Sequence, residues 1–318
     1  MIDRALDWRN LQAAWQAVES KKGGPGLDEV TLKRWGRNWR ANLERLRAQV
    51  RTNTYRPTRP RRVRVLKKGG EYRAISILTV TDRVLQRATL NVLEGFFEGR
   101  FLNCSFGYRP RRSVADAVTA VVRSRERGRS WVLDADIDDC FDSLDHSLIE
   151  ELIRPAVPDA IVRRLIHAWL QAGRPKKRRE EVHARRSSST APGAQARDVG
   201  VPQGAVISPL LCNVVLHELD TYLTRAGWAL VRYADDFVVL TSTEAGAHVA
   251  RADVELALSH LRLRLNAAKT RVVSFEQGFR FLGVDFLGDA YSYVHNRKRL
   301  TVTGPTVRAL RLWPPEYY

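Results

Sequence analysis

Six aspartates fall within twelve residues, Asp134, Asp136, Asp138, Asp139, Asp142 and Asp145, on a chain whose 53 Lys+Arg outnumber 35 Asp+Glu and leave a net charge of +18. Carboxylates this close repel one another, so a fold that gathers them needs a function that uses them. The run begins in an apolar stretch of strand character, Trp131-Val-Leu-Asp-Ala-Asp136-Ile137. A second acidic pair, Asp235-Asp236, sits between the apolar runs 230–234 and 237–240, which predicts a hairpin with both carboxylates at its tip. If the strand ending at Asp136 lies beside that hairpin, three carboxylates converge. Hard oxygen donors of this kind suit Mg²⁺, and two such ions roughly 4 Å apart activate a hydroxyl and stabilise the leaving oxygen in a displacement at phosphorus.

The 318 residues, 44% apolar, are enough for one large or two medium domains with a core that needs no staples. Cys104, Cys140 and Cys212 lie far apart in apolar surroundings, which predicts reduced core thiols and excludes a disulfide scaffold or structural zinc. No apolar run approaches the ~20 residues of a membrane span, and the start carries no signal-peptide pattern; the expectation is a soluble, cytoplasmic protein without a membrane partner. Between Lys33 and Arg73 stand fifteen basic residues against Glu44 and Glu71, interleaved with Trp35, Trp39, Tyr55 and Tyr72. That composition points to nucleic acid, because Lys and Arg gain by releasing counterions condensed on phosphates.

Residues 5–20 and 38–51 carry apolar residues at helical spacing. Residues 61–66 and 74–77 flank a Gly-Gly turn and predict a hairpin with a basic tip. Residues 81–99 predict a long helix, and Ser113 caps another. Residues 159–171 are helical, and 173–198, rich in Arg, Lys, Ser and Pro, predict a basic loop. Ser208-Pro209, a hydroxyl cap before a first-turn proline, begins a helix that Gly227 ends. Just before it, Gly200-Val-Pro-Gln-Gly204 would let a nucleotide or a nucleic-acid backbone approach closely.

At these residues the chain resembles the reverse transcriptases of bacterial group II introns and their domesticated relatives. The matching segments run in order: 22–28, 55–57, 67–73, Asp82-Arg83 with Gln86, 105–113, 136–142, 200–213, 233–236, Lys269-Thr270 and Phe281-Leu-Gly283. The resemblance implies an α+β right-hand polymerase fold, an antiparallel palm sheet packed on helices, with mostly helical fingers carrying the basic hairpin. It implies RNA-directed DNA polymerase activity with two Mg²⁺ ions, or Mn²⁺ in their place. Asp136, Asp235 and Asp236 would be catalytic and bind metal, helped by the main-chain carbonyl of Ile137. Lys67 and Arg73 would grip the incoming dNTP, Phe141 would exclude a 2′-hydroxyl, Gln203 would pack near the nucleotide and template, and Lys269 would assist the leaving pyrophosphate. Arg109 and Arg112 would hold template phosphates or the fingers structure, Gly204 would lie against nucleic acid, and Phe281, Leu282 and Gly283 would seat the primer end.

The implied segments are fingers over 1–128, palm over 129–148, a connection over 149–199 that contains the basic loop, palm and primer-grip hairpin over 200–300, and a stub over 301–318. Only 35 residues follow Gly283, so the expectation is a helical thumb that is either truncated in this sequence or naturally absent. The expected partners are therefore an RNA template, a DNA or RNA primer, dNTPs, and a structured cognate RNA or a protein that supplies the thumb's function. The alternatives are an RNA-binding maturase and a domesticated defence- or CRISPR-associated enzyme with unconventional priming.

Overall fold

A computed structural model describes residues 1–66, 70, 72–173, 198–295 and 298–303. In chain order its elements are α1 (Ile2–Ala5), α2 (Trp8–Ser20), α3 (Leu32–Gly36), α4 (Trp39–Arg51), β1 (Arg61–Leu66), β2 (Tyr72–Ile77) and α5 (Val80–Glu98). Next come α6 (Val114–Glu126), β3 (Trp131–Asp136), α7 (Cys140–Ser143), α8 (His146–Ile153), α9 (Ala160–Gly173), α10 (Ser208–Arg225), β4 (Ala229–Tyr233), β5 (Asp236–Thr241) and α11 (Glu244–His260). The chain closes with β6 (Arg271–Ser274), β7 (Phe279–Phe281), β8 (Val284–Leu287), β9 (Ala290–His295) and β10 (Lys298–Thr303). Two compact units share these elements: Met1–Phe96 with Phe141–Leu211, and Phe97–Cys140 with Cys212–Tyr318.

In the first unit, Asp7 starts α2 by accepting from the amides of Arg9 and Asn10, and the helix buries Leu11, Ala14, Trp15 and Val18 along one stripe. α4 buries Leu43, Leu46 and Val50 in the same way. A polar knot ties this unit: Asp82, buried, accepts from the Tyr55 hydroxyl at 2.5 Å, the Thr79 hydroxyl at 2.7 Å and the Thr58 amide at 3.1 Å, while Trp169 Nε1 donates to Tyr55 Oη at 3.0 Å. β1 and β2 form the expected hairpin, in register from Arg61↔Ile77 to Leu66↔Tyr72. Lys67 and most of the hairpin tip lie outside the described residues, as do 174–197 of the basic loop and 304–318 of the expected stub. α10 begins at Ser208 as expected, but the Ser208 hydroxyl donates back to the Pro202 carbonyl at 2.9 Å.

In the second unit a four-stranded antiparallel sheet runs in the order β4-β5-β3-β6. α11 packs on β3, β5 and β6, and α6 on β4 and β5. α6 carries a full capping box: Ser113 Oγ accepts from the Asp116 amide, and the Asp116 carboxylate accepts from the Ser113 amide and hydroxyl. Val118 and Val121 of α6 share a core cluster with Val132, Val231, Val238 and Leu240 of the sheet. The same cluster takes in Phe275, Phe279 and Phe286 near a second antiparallel sheet of order β10-β9-β8-β7, where the Phe279 and Phe286 rings stack at 4.8 Å. Gly227, at φ +86, ends α10 as the sequence predicts.

Candidate active site

Strand alternation puts Asp134 and Asp136 on one face of β3, with Leu133 and Ala135 on the other. β4 and β5 are joined by the two-residue turn Ala234-Asp235, with Ala234 in the left-handed region at φ +60. Asp236 is the first residue of β5. The register pairs it with Asp136 on one side and with Tyr233 on the other. Directly opposed residues hold their Cβ atoms about 5 Å apart, so Asp136 and Asp236 are neighbours on one face and Asp235 adjoins them in the turn.

The field at this patch is negative. Burial, and after it the charges of Asp134, Asp136 and Asp235, push the Asp236 carboxyl up to about 7, against a smaller opposing effect of Lys269. Burial also raises Asp134, although Arg271 Nε lies 3.0 Å from its carboxylate. Lys269 Nζ is 3.0 Å from Asp136 Oδ2. The loop that carries Lys269 is fastened to the end of β3: Asn266 N donates to the Asp136 carbonyl at 2.8 Å, Asp138 N to the Arg264 carbonyl at 2.9 Å, and Ile137 bridges Leu265.

Beneath the turn lies a charge that the sequence does not announce. Arg232 has no exposed surface, and its guanidinium binds both carboxylate oxygens of Asp220 at 2.6 Å. It also reaches Asn213 Oδ1 at 3.0 Å, Ser105 Oγ at 2.8 Å and the Ala234 carbonyl at 2.8 Å. Asn213 in turn donates to the Gly107 carbonyl at 2.9 Å. Gly107 approaches the Tyr233–Ala234 backbone so closely that a Cβ there would collide with the Ala234 amide. The Cys140 and Cys212 sulfurs meet at 3.8 Å, both buried and free.

Among the described residues no three His, Cys, Asp or Glu side chains surround a single point as a finished metal cage. The donor chemistry nevertheless fits a hard divalent cation. Asp136, Asp235 and Asp236 offer only oxygens, Lys269 already supplies one cationic group to Asp136, and Asp236 is held high by burial and then by the neighbouring carboxylates.

The other expected positions divide between the units. In the first unit Phe141 is buried in α7, and the Gln203 carbonyl accepts from the Ser76 amide at 2.7 Å. Gly204, at φ +97, has no room for a side chain, since a Cβ would stand 2.9 Å from the Ser76 carbonyl oxygen. Arg73 lies in β2 opposite Val65, with its side chain outside the described residues. In the second unit Arg109, expected on template phosphates or in fingers structure, is buried against Glu98 at 2.8 Å and the carbonyls of Leu102 and Ser105. Arg112 is half-buried and holds Asn103 through its side-chain oxygen at 2.7 Å. Phe281 and Leu282 are 1% and 5% exposed and belong to the core, so of the expected primer-seating residues only Gly283 in the β7–β8 turn faces outward.

An antiparallel sheet that carries one aspartate at a strand end, and two at the tip of the neighbouring hairpin, defines the palm of a template-directed polymerase. Residues 65–286 match the family described as reverse transcriptase (RNA-dependent DNA polymerase), and the chain belongs to that family. It is 32% identical over 315 residues to protein YkfC of Escherichia coli K12, covering 86% of this chain and 79% of that one. It is also 32% identical over 215 residues to the group II intron-encoded protein LtrA of Lactococcus lactis, covering 67% of this chain and only 33% of the relative. A telomerase structure from Candida tropicalis shares the fold at 15% identity, with a TM-score of 0.50 over 80% of this chain and 47% of that one. No described helix is long and apolar enough to cross a membrane.

Proposed function

We propose that the chain extends a primer 3′-hydroxyl with dNTPs on an RNA template, as a nucleotidyltransferase working with two divalent ions. The observation that carries this reading is the register Asp136↔Asp236 with Asp235 in the adjoining turn. Reverse transcriptases use Mg²⁺ or Mn²⁺; bound by Asp136, Asp235, Asp236 and the Ile137 carbonyl, the ions would acidify the primer hydroxyl and neutralise the leaving oxygens. Lys269, which pairs with Asp136 here, would follow the negative charge that develops on pyrophosphate. Lys67 and Arg73 would hold the triphosphate, Gln203 and Gly204 would form the wall against nucleotide and template, and Phe141 would bar a 2′-hydroxyl. Arg112 and the Gly283 turn contact nucleic acid, while Arg109, Phe281 and Leu282 support those contacts from beneath. In family terms, 1–128 read as fingers, 129–148 and 200–300 as palm, 149–199 as their connection and 301–318 as a stub toward the thumb. A structured cognate RNA or a protein partner would complete the nucleic-acid grip.

Primer extension on an RNA template with an annealed DNA primer tests the reading. Wild type should extend with dNTPs and Mg²⁺ or Mn²⁺, and Asp235→Ala should reduce extension to background; extension that survives this substitution overturns the assignment. Phe141→Val should narrow discrimination against rNTPs by about 10- to 100-fold, the scale on which a pocket senses a lost contact. Unchanged sugar selectivity removes Phe141 from that role. Salt-sensitive RNA binding without any extension would favour the maturase reading.

A further inference from the structure

Apart from the carboxylates, the second unit holds an open groove of about 1120 Å³ between α6, the segment 103–113 and β4. None of Asp136, Asp235 and Asp236 lines it. Its floor is made of small residues, Ala115, Thr119, Ala120 and Ser124, at helical spacing along α6. Around that floor stand Arg111, Arg112, Arg123, Arg127 and Arg129, against one carboxylate, Asp116, which is spent on the helix cap. Arg112 is engaged by Asn103. Among the described residues the other four arginines form no ion pair.

A solvated helix face mixes its charges, whereas this one repeats like charge one turn apart at Arg123 and Arg127, about 6 Å along the axis. Arg123 stands in the last turn of α6 and Arg127 at its C-cap, where the helix dipole accommodates cations; what points to an anionic partner is the gathering of five arginines around one groove with a single, already engaged carboxylate. A protein partner would need an apolar anchor at the groove's centre. Of the apolar lining, Phe106, Leu230 and Val231 are buried and Trp228 is half-buried with its Nε1 donating to Asp253, whereas Arg111, Arg123 and Arg127 are exposed. A polyanion needs only a row of cations and a floor low enough for its backbone. The hydroxyls of Thr119 and Ser124 are suited to a 2′-hydroxyl, which separates RNA from DNA.

We propose that this groove holds a single strand of RNA by its phosphates, outside the catalytic site. The choice of RNA rests on the reverse-transcriptase reading above; the anionic backbone does not. Binding of a fluorescent 20-nucleotide RNA to the full chain, measured by anisotropy between 50 and 400 mM salt, tests it. Losing two single-strand phosphate contacts in Arg123→Ala/Arg127→Ala should weaken binding roughly 25-fold at 0.1 M salt and flatten the log–log salt slope by about 1.4. DNA of the same sequence should bind less tightly, because it lacks the 2′-hydroxyl, with the same slope change per phosphate contact. Arg111→Ala alone should show the single-contact effect, roughly 5-fold, which keeps the test alive if the double variant unfolds in a parallel thermal scan. Unchanged affinity and slope, DNA that binds wild type as tightly as RNA does, or displacement of RNA by polyglutamate at matched charge would each overturn the proposal. Wild type that fails to extend a primer, yet binds RNA in an Arg123- and Arg127-dependent way, refutes the polymerase reading and leaves the groove standing.

Discussion

Arg232 bonds at once to Asp220, Asn213, Ser105 and the carbonyl of Ala234, the residue that turns the chain into Asp235. Burial opposes its charge, but Asp220 overcomes that and holds the guanidinium above its ordinary pKa, so it is a permanent cation. A buried pair of this kind adds little net stability, because desolvation consumes most of the Coulomb attraction. What it supplies is a fixed anchor for the turn. Asp220→Ala should therefore cost about 3–5 kcal/mol in urea denaturation, since it strands a buried cation. Arg232→Met with Asp220→Leu should regain most of that stability and leave primer extension impaired. Extension at the wild-type rate in the double variant would make the pair structural only. The aspartates themselves were legible in the sequence, because charges set against apolar runs stand out. Arg232 was not, because its partners lie 12, 19 and 127 residues away and only the fold brings them together.

At the scale of elements, local signals carried much of the pattern. Ser113 and Gly227 mark helix ends through bonds and dihedrals that a few neighbouring residues determine. α11 escaped notice because its buried stripe is mostly small, Ala247, Ala250, Val254 and Ala257, and gives weak periodicity. The β7–β10 sheet escaped because its strands are short and packed through aromatics from several segments. The same limit explains Phe281 and Leu282: a motif fixes their place in a hairpin, but which side of it is core depends on Phe275 and Phe286. The Asp82 knot joins the loop before β1 to α5 and α9 through Tyr55 and Trp169. Tyr55→Phe leaves a buried carboxylate short of one donor and Trp169 Nε1 short of its acceptor, and should cost about 2–4 kcal/mol by chemical denaturation. A loss below about 0.5 kcal/mol, the lower end for a typical hydrogen bond, would mean that water replaces the hydroxyl.

At the scale of the molecule, the division into units was hidden for a physical reason. The crossings at 96/97, 140/141 and 211/212 fall inside α5, α7 and α10, where unbroken helices leave no linker to read. The charge was plain throughout: a chain at +18 still brings Asp134, Asp136 and Asp236 together on one sheet, and that site sets a pH response opposite to ordinary acid denaturation. Asp236 titrates at about 7 in the folded chain, above the ~4 of an unfolded carboxylate, so the folded state binds a proton that the unfolded state releases. Its stabilising contribution is complete below pH ~4 and is lost as pH rises through about 7. With divalent ions chelated, the urea midpoint of wild type should fall between pH 5 and 8 relative to Asp236→Asn, which has no such proton to lose. Mg²⁺ binds the deprotonated carboxylate, so the midpoint gained on adding Mg²⁺ should be larger at pH 8 than at pH 6, and this difference should shrink in Asp236→Asn. Parallel pH profiles for the two proteins in chelator would show that Asp236 titrates as an ordinary surface acid, and that Asp134, Asp136 and Asp235 do not crowd it.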